Sequence, residues 1–347
     1  MTGLVLAGGG VKGSYQIGAY LAFKKCGIRI DGVVGTSIGS FNAAMIVSGM
    51  EYELYNFWKN VDVGELLNFN TKYTESVNNK DKFKELIYGI EQMSLIVKNK
   101  GIDSSNIKNT LKEMIDEEKI RNSNMDYGLV TIRVNDLKPL YLFKEDMAEG
   151  KIAEYILASC NLPVFKTSKL IDNKYYIDGG FYDNNPFNML LNKGYDKIYS
   201  VEIQGLGLTK KIKDKSKIVK ISPSRFLGST LNVNKDKINE NIKLGYYDTL
   251  KILKNYDGYN FIFKKHSNML YNILAKSVNA DLYKKCQKYF KTNNNKELII
   301  KCLEYIMLKE NKTYFEVYKL LKEIKYVKKN KKKNHFVYDF VRSLKFF

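Results

Sequence analysis

Asp31-Gly32-Val33-Val34-Gly35-Thr36-Ser37-Ile38-Gly39-Ser40 (DGVVGTSIGS, residues 31–40) runs from a short apolar segment into a turn spaced by glycines. DGVVG (31–35) reads as a buried strand and SFNAAMIVSG (40–49) as a helix. Between them, Gly35-Thr36-Ser37-Ile38-Gly39 is a G-x-S-x-G pentapeptide. In a strand–turn–helix context that pattern exposes the serine hydroxyl, and the glycines relieve crowding around it. The N-terminus of the following helix adds a positive dipole end that favours developing negative charge. Ser37 is therefore a candidate nucleophile. The competing reading is a serine that only caps the helix.

Working outward, TGLVLA (2–7) reads as an earlier buried strand, and Gly13 to Cys26 turns helical, with Ile17, Leu21 and the small residues Gly18, Ala19 and Ala22. Small residues of this kind let a helix lie close to a sheet. Strand, helix, strand, helix at this spacing is a βαβ unit with a right-handed crossover. The first crossover begins with GGGVKGS (8–14), which admits three readings. Gly8, Gly10 and Gly13 match G-x-G-x-x-G, a dinucleotide fingerprint. Gly8 and Gly13 also have Walker A spacing. The third reading is an oxyanion hole made of bare backbone N–H groups. A dinucleotide fold wants an acidic residue near the end of its second strand, where Gly35-Thr36-Ser37 stands instead. A P-loop needs Lys directly after its second glycine, but Ser14 follows Gly13 and Lys12 precedes it. Both nucleotide readings recede.

The sheet pattern returns at YGLVTIRV (127–134), PLYLF (139–143), KYYIDGG (174–180), KIYSVEI (197–203) and KIVKIS (217–222). Helices are expected near 150–159, from Asn185-Pro186 onward, and as an amphipathic helix over Lys235–Leu253. Residues 50–125 read as a helical insertion and a candidate lid or acyl pocket, with Leu54, Phe57 and Trp58 on one face. The expected architecture is an α/β three-layer sandwich with a mainly parallel central sheet flanked by helices, over residues 1–255. Residues 256–347 then form a mostly helical, basic, Lys/Tyr-rich extension.

Charge divides the same way. Residues 1–180 carry 22 Lys+Arg against 22 Asp+Glu, so the whole formal net charge of +20 lies in residues 181–347. Such asymmetry suits an anionic partner, a membrane surface or nucleic acid, unless the lysines merely solvate a surface. Four cysteines lack CxxC or zinc-ligand spacing and read as reduced thiols. Without a signal peptide or a run of 18 apolar residues, the expectation is a cytoplasmic protein with no membrane-spanning helix.

A serine hydroxyl needs a neighbour that accepts its proton. The two histidines, His266 and His335, both lie in the Lys-rich portion. Asp178 ends an apolar strand ahead of Gly179 and Gly180, where it reads either as a carboxylate facing Ser37 across the carboxyl edge of the sheet or as an Asp-Gly turn.

GGGVKG (8–13), GTSIG (35–39), ASCNLPVF (158–165) and DGGFYDNNP (178–186) together resemble the patatin-like phospholipases, over roughly residues 1–225. The resemblance implies a lipid acyl hydrolase with Ser37 as nucleophile and Asp178 as general base. It also implies an oxyanion loop over Gly8, Gly9, Gly10, Val11, Lys12 and Gly13, the N–H groups of Gly9, Gly10 and Val11 foremost. Lys12 stands where the family carries Arg or Lys, to anchor the loop or meet a phosphate. Pro163 and Phe165 match the third block, whereas Cys160 and Asn161 replace small residues. Neither cofactor nor metal is implied. The expected partners are an acyl lipid or phospholipid substrate and an anionic membrane surface touched peripherally, with no nucleic acid. The alternative is a non-enzymatic membrane- or nucleic-acid-binding protein on a retained hydrolase fold.

Overall fold

Leu4, Val5, Leu6, Val33 and Val34 are completely buried, as parallel strands covered on both faces require. They belong to β1 (Thr2–Leu6) and β2 (Gly32–Thr36), which pair in parallel. The other sheet strands are β3 (Asp126–Arg133), β4 (Lys138–Phe143), β5 (Tyr176–Asp178), β6 (Lys197–Val201) and β7 (Ile218–Ile221). The order is β4-β3-β2-β1-β6-β7, with β5 paired to β3. Pairing is parallel throughout β3-β2-β1-β6-β7, while β4 and β5 run antiparallel to β3. The structure, a computed structural model, describes residues 1–66, 101–166, 168–205, 207–230, 234–330 and 334–345. Residues 67–100 of the expected insertion therefore lie outside the described residues.

Alternation along the strands builds the layers. Val5, Val34, Val130 and Ile198 point to one face and pack with Phe187 and Leu190 of the helix Phe187–Asn192. The neighbouring residues point the other way. There Tyr127 reaches the Ser40 carbonyl on the helix Ile38–Val47 (3.1 Å), and Tyr199 meets Phe23 of the helix Ser14–Lys25 edge-on at 4.8 Å. The result is a three-layer α/β sandwich. Gly18, expected to bring its helix close to the sheet, serves a helix pair instead. A Cβ there would stand 1.9 Å from the Ile242 carbonyl oxygen, and Gly245 approaches the Tyr15 carbonyl as closely.

The chain divides into two compact units, Met1–Tyr246 and a second from Tyr247, the division falling within the helix Lys235–Leu253. The second unit has its own core, in which Phe261, Tyr271, Leu303, Ile324 and Phe340 are buried among five helices and the short pair β8 (Ile262–Phe263) and β9 (Val317–Tyr318). Glu304 is buried there and accepts hydrogen bonds from the N–H groups of Tyr259, Asn260 and Phe261. Among the described residues, no helix is long and apolar enough to cross a membrane.

Candidate active site

The parallel strands β1, β2, β6 and β7 end on one edge, and the site forms there. β2 stops at Thr36, which pairs with Val130 of β3. β4 occupies the far side of β3, so β5 enters on the near side, where β2 has ended. Its pairing with β3 begins at Thr131↔Asp178, the very next register position. Two segments about 140 residues apart in sequence thus meet end to end, and Asp178 arrives beside Ser37.

Ser37 sits at φ 56, ψ −132, a positive φ seldom adopted outside glycine. The turn is held tightly enough to impose it. The Ser37 N–H donates to Ser159 Oγ at 2.9 Å, and the Ser159 hydroxyl donates to the Val130 carbonyl at 2.7 Å. The Ser37 carbonyl accepts from the N–H and hydroxyl of Ser40. Gly35 and Gly39 pack directly on each other, a Cβ on Gly35 falling 2.3 Å from the Gly39 carbonyl. A Cβ on Gly39 would in turn meet the Leu6 carbonyl oxygen at 2.1 Å. The pentapeptide is therefore an elbow, and no side-chain hydrogen bond makes Ser37 a helix cap.

The Ser37 side chain lies close enough to the Asp178 carboxylate to favour its charged form. Asp178 is 3% exposed, and its Oδ1 accepts the Gly180 N–H at 2.7 Å. Burial raises its pKa to about 6, against the lowering effect of the nearby Ser37 side chain and the Gly180 N–H. Asn161 positions the strand: its carbonyl accepts the Asp178 N–H (2.8 Å), and its side chain donates to the Tyr176 carbonyl (2.7 Å). Burial pushes the neighbouring Cys160 thiol well up in pKa, so it stays neutral beside the serine. Gly179 lies on the Val130 carbonyl, where a Cβ would stand 2.1 Å away.

The glycine loop lies over the same serine. A Cβ on Gly8 would stand 3.0 Å from that of Ser37. The Gly8 N–H is taken by Asn184 Oδ1 (3.1 Å), and the Gly8 carbonyl accepts from Asn184 Nδ2 (3.2 Å). Val11, expected to supply a free amide, donates to the Thr230 carbonyl at 3.0 Å. The N–H groups of Gly9 and Gly10 find no acceptor among the described residues. Gly10 must be glycine: its φ is +59, and a Cβ would lie 2.1 Å from the Thr230 oxygen. From Gly10 the backbone makes a 3₁₀ turn through Gly13 into the first long helix. Lys12 is buried, and its ammonium donates to the Gln204 carbonyl at 2.9 Å; burial lowers its pKa. Of the two roles open to it, this geometry is that of an anchor.

An apolar cavity opens on Ser37, Gly10 and Val11 and is walled by Phe41, Phe57, Trp58, Leu111, Leu162 and Phe165. Trp58 is fixed by donating to Asn42 Oδ1 at 3.0 Å. Neither histidine takes part. His335 caps the helix Phe336–Ser343 and stacks on Tyr305, and the His266 N–H donates to Asp257.

Sequence reasoning quoted Asn184 and Ser159 within their motifs but gave them no role. The signal was position alone: Asn184 stands six residues after Asp178, and Ser159 just before Cys160.

The model of the patatin-like phospholipase family matches residues 4–191, more than half of the chain. Lysophospholipase nte1 of Aspergillus terreus is 25% identical over 203 residues, 58% of this chain and 12% of that protein. Lysophospholipase NTE1 of Chaetomium globosum is 27% identical over 206 residues, 59% of this chain and 12% of its own length. The chain thus spans about an eighth of these curated relatives. Among solved structures, VipD from Legionella pneumophila is similar with a TM-score of 0.46 at 14% identity, covering 94% of this chain and 79% of that one.

Proposed function

Since the chain belongs to the patatin-like phospholipase family, a family of lipid ester hydrolases, we propose that it is a serine lipid acyl hydrolase of phospholipase A or lysophospholipase type, working through a Ser37–Asp178 dyad. Asp178 takes the proton of Ser37 as Oγ attacks the ester carbonyl carbon. The carbonyl oxygen becomes an oxyanion and is met by the N–H groups of Gly9 and Gly10, which have no partner among the described residues, and by the positive end of the helix Ile38–Val47. Asp178 returns the proton to the departing alcohol or lysolipid oxygen, leaving an acyl-serine. Water then gives a proton to Asp178 and attacks the acyl carbon. The fatty acid leaves, and the proton passes back to Ser37.

A pKa of about 6 suits Asp178 to both halves of this cycle. It is ionised at neutral pH, yet basic enough to hold the proton between steps. The apolar cavity beside Ser37 takes the acyl chain, which supports carboxylic esters of phospholipids over short polar esters.

One observation carries the reading: the end-to-end register of β2 and β5, which brings a buried carboxylate beside a strained serine. The test is fatty-acid release from phospholipid and lysophospholipid by the wild type, Ser37→Ala and Asp178→Asn. Release by the wild type with a loss of at least about 10³-fold in each variant is expected. Equal release by all three, or none by any, overturns the proposal.

A further inference from the structure

Three loops surround the site on the carboxyl edge: residues 179–185 after β5, 203–205 and 207–213 after β6, and 222–230 after β7. Each presents one large apolar side chain to solvent, Phe181 (50% exposed), Leu208 (63%) and Phe226 (52%). Single exposed apolar residues are ordinary on a protein surface, but a group of them around a site is not.

These three stand on backbone that is tied to the catalytic arms. Phe181 follows Asp178 by three residues. The Leu208 N–H donates to the Gly180 carbonyl (3.0 Å), and its carbonyl accepts the Asn184 N–H (2.6 Å). Phe226 shares its loop with Thr230, whose carbonyl holds Val11.

Charge completes the pattern. The same loops carry Lys210, Lys211 and Arg225 among their basic residues, whereas their one acidic residue, Asp183, is 1% exposed. The Lys210 ammonium lies 3.4 Å from the ring centroid of Tyr182, next in chain to Phe181, so basic and apolar groups are interleaved. Glu202, just before the second loop, is ion-paired with Lys220 at 2.6 Å. An edge that offers apolar side chains and more basic residues than exposed carboxylates matches an anionic bilayer: apolar groups enter the acyl region, and cations meet lipid phosphates.

We propose that this rim is the surface on which the first unit docks to an anionic bilayer, with Phe181, Leu208 and Phe226 inserted and Lys210 and Lys211 at the phosphate level. The inference rests on the lipid-hydrolase reading for its substrate, and it places Ser37 over the membrane from which that substrate is drawn.

The test reads binding on the full chain carrying Ser37→Ala, so it is independent of whether ester is cleaved. Sedimentation with phosphatidylcholine vesicles is compared with and without phosphatidylglycerol. Binding to the phosphatidylglycerol vesicles is expected, falling about tenfold or more with F181S/L208S/F226S and again with K210E/K211E. With Ser37 restored, both variants keep their turnover of a monomeric short-chain ester, which reports an intact fold. Amide exchange on the unmodified rim gives a second reading: the vesicles protect residues 179–185 and 203–213. Equal binding to neutral vesicles, undiminished binding by the rim variants, or protection confined to other segments overturns the proposal. So does a change in self-association with vesicle binding untouched, which makes the rim a contact between copies.

Discussion

At the scale of single residues, the account turns on a carboxylate that is buried and still has to be charged. Asp178 must be ionised to accept the Ser37 proton, so kcat/KM for a soluble ester rises with pH through about 6 and levels off above it. A flat profile from pH 5 to 8 counts against Asp178 as the base. The stability consequence has the opposite sign. A carboxyl whose folded pKa is raised contributes stability below its unfolded value, and that contribution is lost as pH rises through about 6. Asp178→Asn, which keeps an acceptor for the Gly180 N–H, is therefore expected to be more stable than wild type at pH 8, by on the order of 1–3 kcal/mol. Denaturant unfolding of the two proteins checks it. Asn184 acts through the glycine loop, gripping both polar backbone groups of Gly8. Asn184→Ala frees the loop to shift, and about a hundredfold loss in kcat with little change in KM is expected. A loss confined to KM contradicts the positioning role.

At the scale of elements, the strands, the elbow and the crossover helices were legible because each is encoded locally, by apolar runs that end in glycine. What joins them was not. KYYIDGG reads as a strand, but nothing local says that it enters antiparallel where β2 stops. That depends on β3 being long enough to pair with β2 over Asp126–Val130 and with β5 over Thr131–Arg133. The loop amides show the same limit. Val11 stands in the glycine motif like its neighbours, yet Thr230, more than 200 residues away, takes its N–H. Gly18 was readable as a close-approach residue, but its partner, the Ile242 backbone, was not. The elbow glycines can be tested as packing devices. Gly39→Ala places a methyl 2.1 Å from the Leu6 carbonyl oxygen. A destabilisation of about 1–3 kcal/mol, with activity lost as the Ser37 turn is displaced, is expected. An unchanged unfolding midpoint contradicts the close contact.

At the scale of the whole molecule, the charge asymmetry and the proposed catalytic residues fall in different stretches of the sequence. Ser37, Asp178 and the glycine loop all lie in the stretch of zero net charge, and the +20 lies beyond residue 180. Hydrolysis of lipid in anionic vesicles is accordingly expected to fall several-fold as salt rises from low to physiological strength, while hydrolysis of a monomeric ester stays constant. Parallel salt dependence of the two rates would tie the charge to catalysis. The second unit is held by a buried core of its own.

The central claim is that Ser37 is a nucleophile activated by Asp178. Its most direct test is reaction with a fluorophosphonate bearing an alkyl chain, followed by peptide mass mapping. The account predicts one adduct per chain, on Ser37, formed far more slowly in Asp178→Asn. An adduct on any other residue, or labelling of Ser37 at an undiminished rate without the Asp178 carboxylate, would contradict it.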